Sequence, residues 1–461
     1  MFAAYYFIPT FFGLSNSKPP SSNDNALPSA TAATDETITT TPSQLTSNGT
    51  HLWKPTTILV SLDGLRADYL EQGYTPNLLS LSKRGIRAKY LEPTFPSLTF
   101  VNHWTLLTGL HAESHGIVAN DFWDPTTQKE FNYKRPDQSW DPEWWGGEPI
   151  WATAERLGIR AANIMWPGPP EMMSGESHSY QVPFKDHVDW SEKTKQVSTW
   201  LDLPLDERPQ FISVYLPEID QAGHASGPDS ENVIKRLRYA DDFAQSIFQQ
   251  IDDRNLADIV NIIFVSDHGM ASTSNERIVY LDDALGQEGF EGIAHKEGWP
   301  SCGLRFKPHI NETDMLERLK QTAIQSNGGI EVYTHDTMPE RYHFSGNPRI
   351  APIYVVPKIG WVVSDKVEHL SIMKGDYRPR GNHGYDPQEP EMHAIFVAHG
   401  PFAEDVKRRR RQLEDTQDRT VVIDGFKNIE IYNLIARLLQ ISTSNQASNN
   451  GTIGFWDNIL G

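Results

Sequence analysis

Three aspartates and three histidines stand where they could gather metal ions. Asp63 ends the run ILVSLDG, Asp220 and His224 follow ISVYL in PEIDQAGH, Asp267 and His268 end IIFVSDHG, and His383 lies in RGNHGYD. Carboxylates are too costly to cluster away from water unless cations neutralise them, and mixed Asp/His sets are ligands that zinc accepts. Six ligands suit two ions better than one. Two metals roughly 3.5–4 Å apart clamp both the attacking and the leaving oxygen of an in-line phosphoryl displacement. Each piece alone has a bland reading, since an aspartate after a strand is often a cap and a lone histidine is often structural.

Thr99, in FPSLTFVNHWTLLTGL, is the candidate nucleophile. The spacing predicts a helix from about Phe100 to Leu107, which places Thr99 at or just before its amino end, where backbone N–H groups and the dipole favour a phosphate and an attacking alkoxide. A hydroxyl is a weak nucleophile at neutral pH until a metal lowers its pKa, so Thr99 and the cations need each other. Without the ligands, an ordinary N-cap threonine is the better reading.

The elements that must position these residues follow from patterning. Short β-rich runs (TTILVSLD, IRAANIMW, QFISVYL, VNIIFVSD, MHAIFVA) alternate with helical stretches (TPNLLSLSKRG, EPIWATAERLG, DWSEKTKQVSTWLDL, SENVIKRLRYADDFAQSIFQQIDD, NIEIYNLIARLLQI). That alternation is an α/β fold with a mainly parallel central sheet and helices on both faces. Ligands of such sheets bind at the carboxyl ends of strands, where Asp63, Asp220 and Asp267 fall. The segment after Asp220 is expected to be a loop that folds Asp220 and His224 onto one ion. Between about 271 and 382 the alternation weakens, which predicts an inserted subdomain or long loops, with His383 completing the metal shell as the chain returns.

Residues 1–52 divide into an apolar aromatic start, MFAAYYFIPTFFGL, and a Ser/Thr/Pro/Asn-rich stalk that lacks the apolar side chains to fold. The start is short for a membrane span and lacks the basic flank of a good signal peptide, so it reads as the remnant of an anchor or signal. Residues 53–441 form the catalytic domain and 442–461 a C-terminal tail. Sequons at Asn48, Asn311 and Asn450 favour an extracellular or secretory-route location, a vacuolar lumen included, with anchoring through the amino terminus left open. The single cysteine, Cys302, excludes an intrachain disulfide and reads as a buried or unused thiol. The basic run at 407–411 reads as a solvated loop. A net charge of −19 argues against gripping DNA or RNA, so a phosphate-bearing substrate needs the local positive centre that bound metal supplies. A monomer is expected.

The chain resembles the nucleotide pyrophosphatase/phosphodiesterase family of the alkaline phosphatase superfamily. The matching segments are LVSLDGLRADYL, PSLTFVNHWTLLTGLHAESHGIVAN, GEPIW, the WPG of MWPG, YLPEIDQAGHASGP, FVSDHGM and GNHGYD, in family order from about residue 56 to 440. The resemblance implies an alkaline phosphatase-like fold and two zinc ions. Asp220, His224 and His383 would hold one ion, while Asp63, Thr99, Asp267 and His268 surround the other. It implies a covalent intermediate on Thr99, Asn120 as a donor to the phosphate oxygen, and a nucleobase stacked between Phe100 and Tyr215. Asn120 could equally be a turn residue, and either ring could be core. The implied activity is hydrolysis of phosphodiester or pyrophosphate bonds of nucleotides and their derivatives to nucleoside 5′-monophosphates.

Leu98 and Val101 depart from the Lys and Pro that many relatives carry, which puts substrate preference in doubt. The cysteine-rich and nuclease-like domains of animal relatives are missing from this sequence, as in a fungal-like single-domain member. Two alternatives stand beside the nucleotide reading. One is a phospholipase C-like or phosphocholine/phosphoethanolamine diesterase on the same scaffold, and the other is a non-catalytic surface binding protein.

Overall fold

The computed structural model describes residues 45–414 and 420–460. Its centre is an eight-stranded sheet made of β1 (Thr56–Leu62), β2 (Ile86–Ala88), β3 (Ala161–Ile164), β4 (Tyr180–Val182), β5 (Phe211–Leu216), β6 (Val260–Val265), β7 (Phe396–His399) and β8 (Val421–Ile423). The spatial order is β8-β2-β7-β6-β1-β5-β3-β4. All pairs are parallel except the two made by β7, which runs against both β6 and β2. The sheet is therefore mainly parallel, and the run MHAIFVA is a strand of opposite direction.

Both faces of this sheet are covered, which is why its strands read as continuous apolar runs rather than alternating ones. The pleat sends alternate side chains to opposite faces. Ile58, Val60 and Leu62 join the cluster under α1 (Pro76–Arg84), with Leu78 and Leu81, while Leu59 joins the other, with Trp104 and Leu106 of α2 (Thr99–Thr108). The remaining main helices are α3 (Ile150–Arg156), α4 (Trp190–Leu201), α5 (Glu218–Ser226), α6 (Glu231–Asp252), α7 (Pro401–Glu414) and α8 (Ile431–Leu438). The first layer also takes α4 and α6, and the second takes α3, α7 and α8.

Residues 271–382 fold as a subdomain rather than as long loops. A four-stranded antiparallel sheet, ordered Ile293–Glu297, Cys302–Phe306, Ile353–Pro357 and Ile330–Tyr333, shares a core with the helices Leu281–Glu291 and Glu312–Gln325. Cys302 is buried there, its thiol pushed up to about 12 by burial, so it is an inert core side chain. The two ends of the insert pair with each other, Ala271 opposite Asn382 and Ser272 opposite Gly381. This clasp returns the chain beside Asp267 and His268.

Four sequence expectations are revised by the structure. The described fold already includes residues 45–52, because Thr46–Ser47 pairs with Leu52–Trp53 and Asn48 Nδ2 donates to Arg254 O at 2.8 Å. Residues 442–460 pack onto the domain, with Trp456 buried between Phe402 and Phe426 and donating to Glu430 O at 2.7 Å. The basic run is helical, lying in α7, where Lys407 pairs with Glu404 and Arg408 with Asp405 one turn earlier. The segment carrying Asp220 and His224 is a helix, α5. No helix among the described residues is long and apolar enough to cross a membrane, and the apolar start lies outside the described residues.

Candidate active site

Strand register sets the frame. Leu62 of β1 pairs with Leu216 of β5, and Ser61 pairs with Val265 of β6, so the three strands end level. Asp63 N donates to Leu216 O at 2.9 Å, continuing the ladder, and Asp220 N donates to Asp63 O at 3.1 Å. Gly64 has φ +73°, and a Cβ there would lie 2.9 Å from Asp220 Cα, so glycine permits both the turn and the close approach of α5. On α5, Asp220 and His224 share one face at i,i+4 spacing, with His224 Nε2 3.4 Å from Asp220 Oδ1.

Two ligand groups result: Asp63, Asp267 and His268, and Asp220, His224 and His383, each with its donor atoms within 4.8 Å of one another. His383 Nε2 lies 3.3 Å from Asp220 Oδ1, and its ring stacks on that of His268 with centroids 3.5 Å apart. The three aspartates and three histidines thus stand together in two groups.

The donor set fits metal. Each histidine turns Nδ1 to a backbone carbonyl: His224 to Gly381 O at 2.8 Å, His268 to Gly269 O at 2.9 Å and His383 to Ser97 O at 2.8 Å. That leaves three Nε2 lone pairs facing inward, the orientation by which proteins prepare imidazole for a metal. His224 Nε2 and His383 Nε2 stand 3.1 Å apart, a contact of two lone pairs that a cation between them relieves. The carboxylates show the same division. Asp63 Oδ2 accepts from Tyr215 OH at 2.5 Å, and Asp267 Oδ1 accepts from Gly64 N and Ser266 Oγ, both at 3.3 Å. Asp63 Oδ1, Asp220 Oδ1 and Asp267 Oδ2 are buried without a hydrogen-bond partner.

Electrostatics agree. Burial first, then the neighbouring Asp267 and Asp220 charges, hold the Asp63 carboxyl well above the usual range, and burial raises Asp220 as well. Burial also disfavours charge on Asp267, yet the imidazoles of His268 and His103 outweigh it and keep that carboxyl low. An uncompensated buried ion costs several kcal/mol, so three acids in one cavity are tolerable only with protons or cations.

Thr99 is the first residue of α2, not its cap. Leu98 occupies the cap position with extended backbone and no capping side chain, and Asn120 Oδ1 accepts from Phe100 N at 3.1 Å instead. The Thr99 hydroxyl is thereby released from capping and lies 3.1 Å from His268 Nε2. Asn120 thus spends its side-chain oxygen on the amino end of the helix. Phe100 is half-buried, with its ring beside Tyr133 at 5.4 Å and Trp145 at 6.2 Å.

Tyr215 is placed otherwise than the resemblance implied. Its ring is 6% exposed and edge-on to His103, and its hydroxyl holds Asp63. It positions a ligand and offers no free face to a base. Burial first, then the charges of Asp63 and Asp267, push its hydroxyl well above its ordinary value, which keeps it a donor. Sequence reasoning missed His103, buried in mid-α2, whose Nδ1 donates to Thr99 O at 2.8 Å and lies 3.4 Å from Asp267 Oδ2. Its signal was a polar side chain on an otherwise apolar face one turn after the nucleophile.

A parallel sheet delivering two adjoining Asp/His clusters beside a helix-borne hydroxyl defines the class of two-metal phosphoester hydrolases. The family model for type I phosphodiesterase/nucleotide pyrophosphatase matches residues 57–386, and the chain belongs to that family. It is 38% identical over 414 residues to a Schizosaccharomyces pombe pyrophosphatase/phosphodiesterase, covering 88% of this chain and 80% of that one. Against rat ectonucleotide pyrophosphatase/phosphodiesterase family member 3 the identity is 34% over 413 residues, and the match spans 44% of that relative's length. Among solved structures, murine ectonucleotide pyrophosphatase/phosphodiesterase 5 superposes with a TM-score of 0.75 at 28% identity, covering 88% of this chain and all of that one. The same murine protein has also been solved as an inactive threonine-to-alanine variant in complex with AMP. The chain is thus a phosphodiesterase/pyrophosphatase with an alkaline phosphatase-like fold and a two-metal site.

Proposed function

We propose that the protein hydrolyses phosphodiester and pyrophosphate bonds of nucleotides and nucleotide derivatives, releasing a nucleoside 5′-monophosphate through a covalent intermediate on Thr99. The observation that carries this reading is the Thr99 hydroxyl, free of capping duty and 3.1 Å from a ligand nitrogen of the inner cluster. The retained nucleotide is supported by the AMP complex of the murine relative.

Zinc held by the two clusters would supply Lewis acidity, lowering the pKa of the Thr99 hydroxyl and of water and neutralising phosphate charge. Thr99 gives up its proton to solvent and Oγ1 attacks phosphorus in line. The bond from phosphorus to the leaving oxygen breaks, and that oxygen takes a proton from solvent. Water then attacks the Thr99 phosphoester from the opposite side, restoring the hydroxyl and releasing the monophosphate. Asn120 donates from Nδ2 to the non-bridging oxygen on which charge accumulates. Phe100, at the second position of α2, flanks the retained group. Tyr215 and His103 hold Asp63 and the backbone of Thr99 in place.

We also propose a secretory-route location. The sequons at Asn311 and Asn450 are exposed and support it, whereas Asn48 already spends its amide on Arg254 O.

The test is a side-by-side assay of ATP, a dinucleoside polyphosphate and lysophosphatidylcholine, with metal analysis of the same sample. Turnover of the nucleotides with two zinc ions per chain is expected. Turnover of the lipid alone would move the function to headgroup diesters, and no turnover at all would leave a binding protein.

A further inference from the structure

Residues Gly298–Ser301 form the tip of the hairpin between Ile293–Glu297 and Cys302–Phe306, and this tip is pinned on both sides of the site. Gly298 N donates to Asp121 O at 3.1 Å and to Asp121 Oδ2 at 3.3 Å, one residue after Asn120. Ser301 Oγ donates to Gly384 O at 2.9 Å, one residue after His383. Between these anchors Trp299 donates from Nε1 to the hydroxyl of buried Tyr377 at 3.1 Å, and its ring centroid stands 6.0 Å from that of His224. The ring is half-buried, yet among the described residues it joins none of the hydrophobic clusters. A large ring fixed at three points and left without apolar packing is a surface awaiting a partner.

We propose that Trp299 selects the leaving group, favouring those that carry a planar ring within a few bonds of the leaving oxygen. This inference rests on the diesterase reading with Thr99 as nucleophile. Thr99 adjoins the inner cluster, so in-line attack drives the leaving oxygen to the opposite side of phosphorus, towards Asp220, His224 and His383. His224 is the most exposed ligand, its side chain 26% accessible, and Trp299 walls that opening. A base or phenyl ring on the departing alcohol stacks there, with Tyr377 holding the indole at a fixed angle. Stacking is tolerant of which base is presented, so Trp299 discriminates planar from non-planar leaving groups rather than one base from another.

The test fixes the retained group and varies only the group that leaves. Thymidine 5′-monophosphate esters of thymidine and of methanol form one pair, and methyl nitrophenyl phosphate with methyl trifluoroethyl phosphate forms a second pair that needs no nucleotide. Trp299→Leu, which keeps an apolar side chain and loses the π face, is expected to raise KM about tenfold for the ring-bearing member of each pair, with kcat within about twofold and the non-planar member unchanged. Trp299→Phe should restore most of the loss, and two metals per chain in each variant confirm an intact site. Equal changes for both members of a pair, or no change in either, overturn the proposal. An unaltered protein that cleaves only the methyl series rejects the nucleotide reading, while the contrast within that series still decides the role of Trp299.

Discussion

The inner and outer ligand clusters are built differently. Asp63, Asp267 and His268 have side chains at most 1% exposed and sit directly on the ends of two central strands. Asp220, His224 and His383 are 14%, 26% and 4% exposed and come from a helix and from the far end of the inserted subdomain. The inner cluster is part of the core and adjoins the nucleophile. The outer one is the more accessible of the two, chiefly through His224. Rigidity is thus placed where the attacking oxygen must be aligned, and access where groups must enter and depart.

The sharpest way to break this comparison is to remove the nucleophile without touching either cluster. Thr99→Ala should lower turnover of a nitrophenyl ester of thymidine monophosphate by roughly 10³-fold or more with zinc still near two per chain; retained turnover refutes Thr99 as the attacker. Graded chelation should separate the clusters, the outer ion leaving first. Metal analysis is expected to show a plateau near one zinc per chain with activity already lost, and simultaneous loss of both ions would make the clusters equivalent. Tyr215→Phe, which strips Asp63 of its donor, should cost about 10–100-fold in activity or inner-ion affinity, with a circular dichroism spectrum like the parent's. Gly384→Ala acts on the other cluster. Its Cβ would meet Pro300 Cδ at 2.8 Å and Leu98 Cδ2 at 2.9 Å, at φ +106°, so it should displace His383 and weaken the outer ion, read as a lower chelator concentration at half-release.

The smallest expected effect tests the hairpin that carries Trp299. Burial raises the carboxyl of Glu297 to about 7 despite its ion pair with Arg305. A folded-state value above the unfolded one means that the folded chain binds the extra proton. The stability this contributes is complete below the unfolded value near 4.5 and is lost as pH rises towards 7. Glu297→Gln should flatten the dependence of Tm on pH across that window, and an unchanged slope would remove Glu297 as its source.

Much of this was legible in the sequence, for a physical reason. Strands buried on both faces must be continuously apolar, so the acids that end them, Asp63 and Asp267, stand out, as does the helix that ends at Leu201. The geometry of α5 was less legible, because Pro217 and Gly223 in PEIDQAGH favour a loop by local preference, whereas packing against Gly64 and the insert holds it helical. Tyr215 was misjudged because a strand residue's type does not reveal what its hydroxyl meets, and only the register with β1 brings it to Asp63. The insert was seen as a break in pattern, yet its helix Glu312–Gln325 buries only Met315 and Leu319, too thin a stripe to announce a core. Trp299 carried no spacing signal, since its neighbours belong to three distant segments.

The clasp between Ala271–Ser272 and Gly381–Asn382 ties the outer centre to the closure of a long excursion of the chain. His268 and His383 are stacked across the mouth of the insert, so a chain in which these ends do not meet is one ligand short. A full set of ligands thereby depends on two segments that lie far apart in sequence being fastened together.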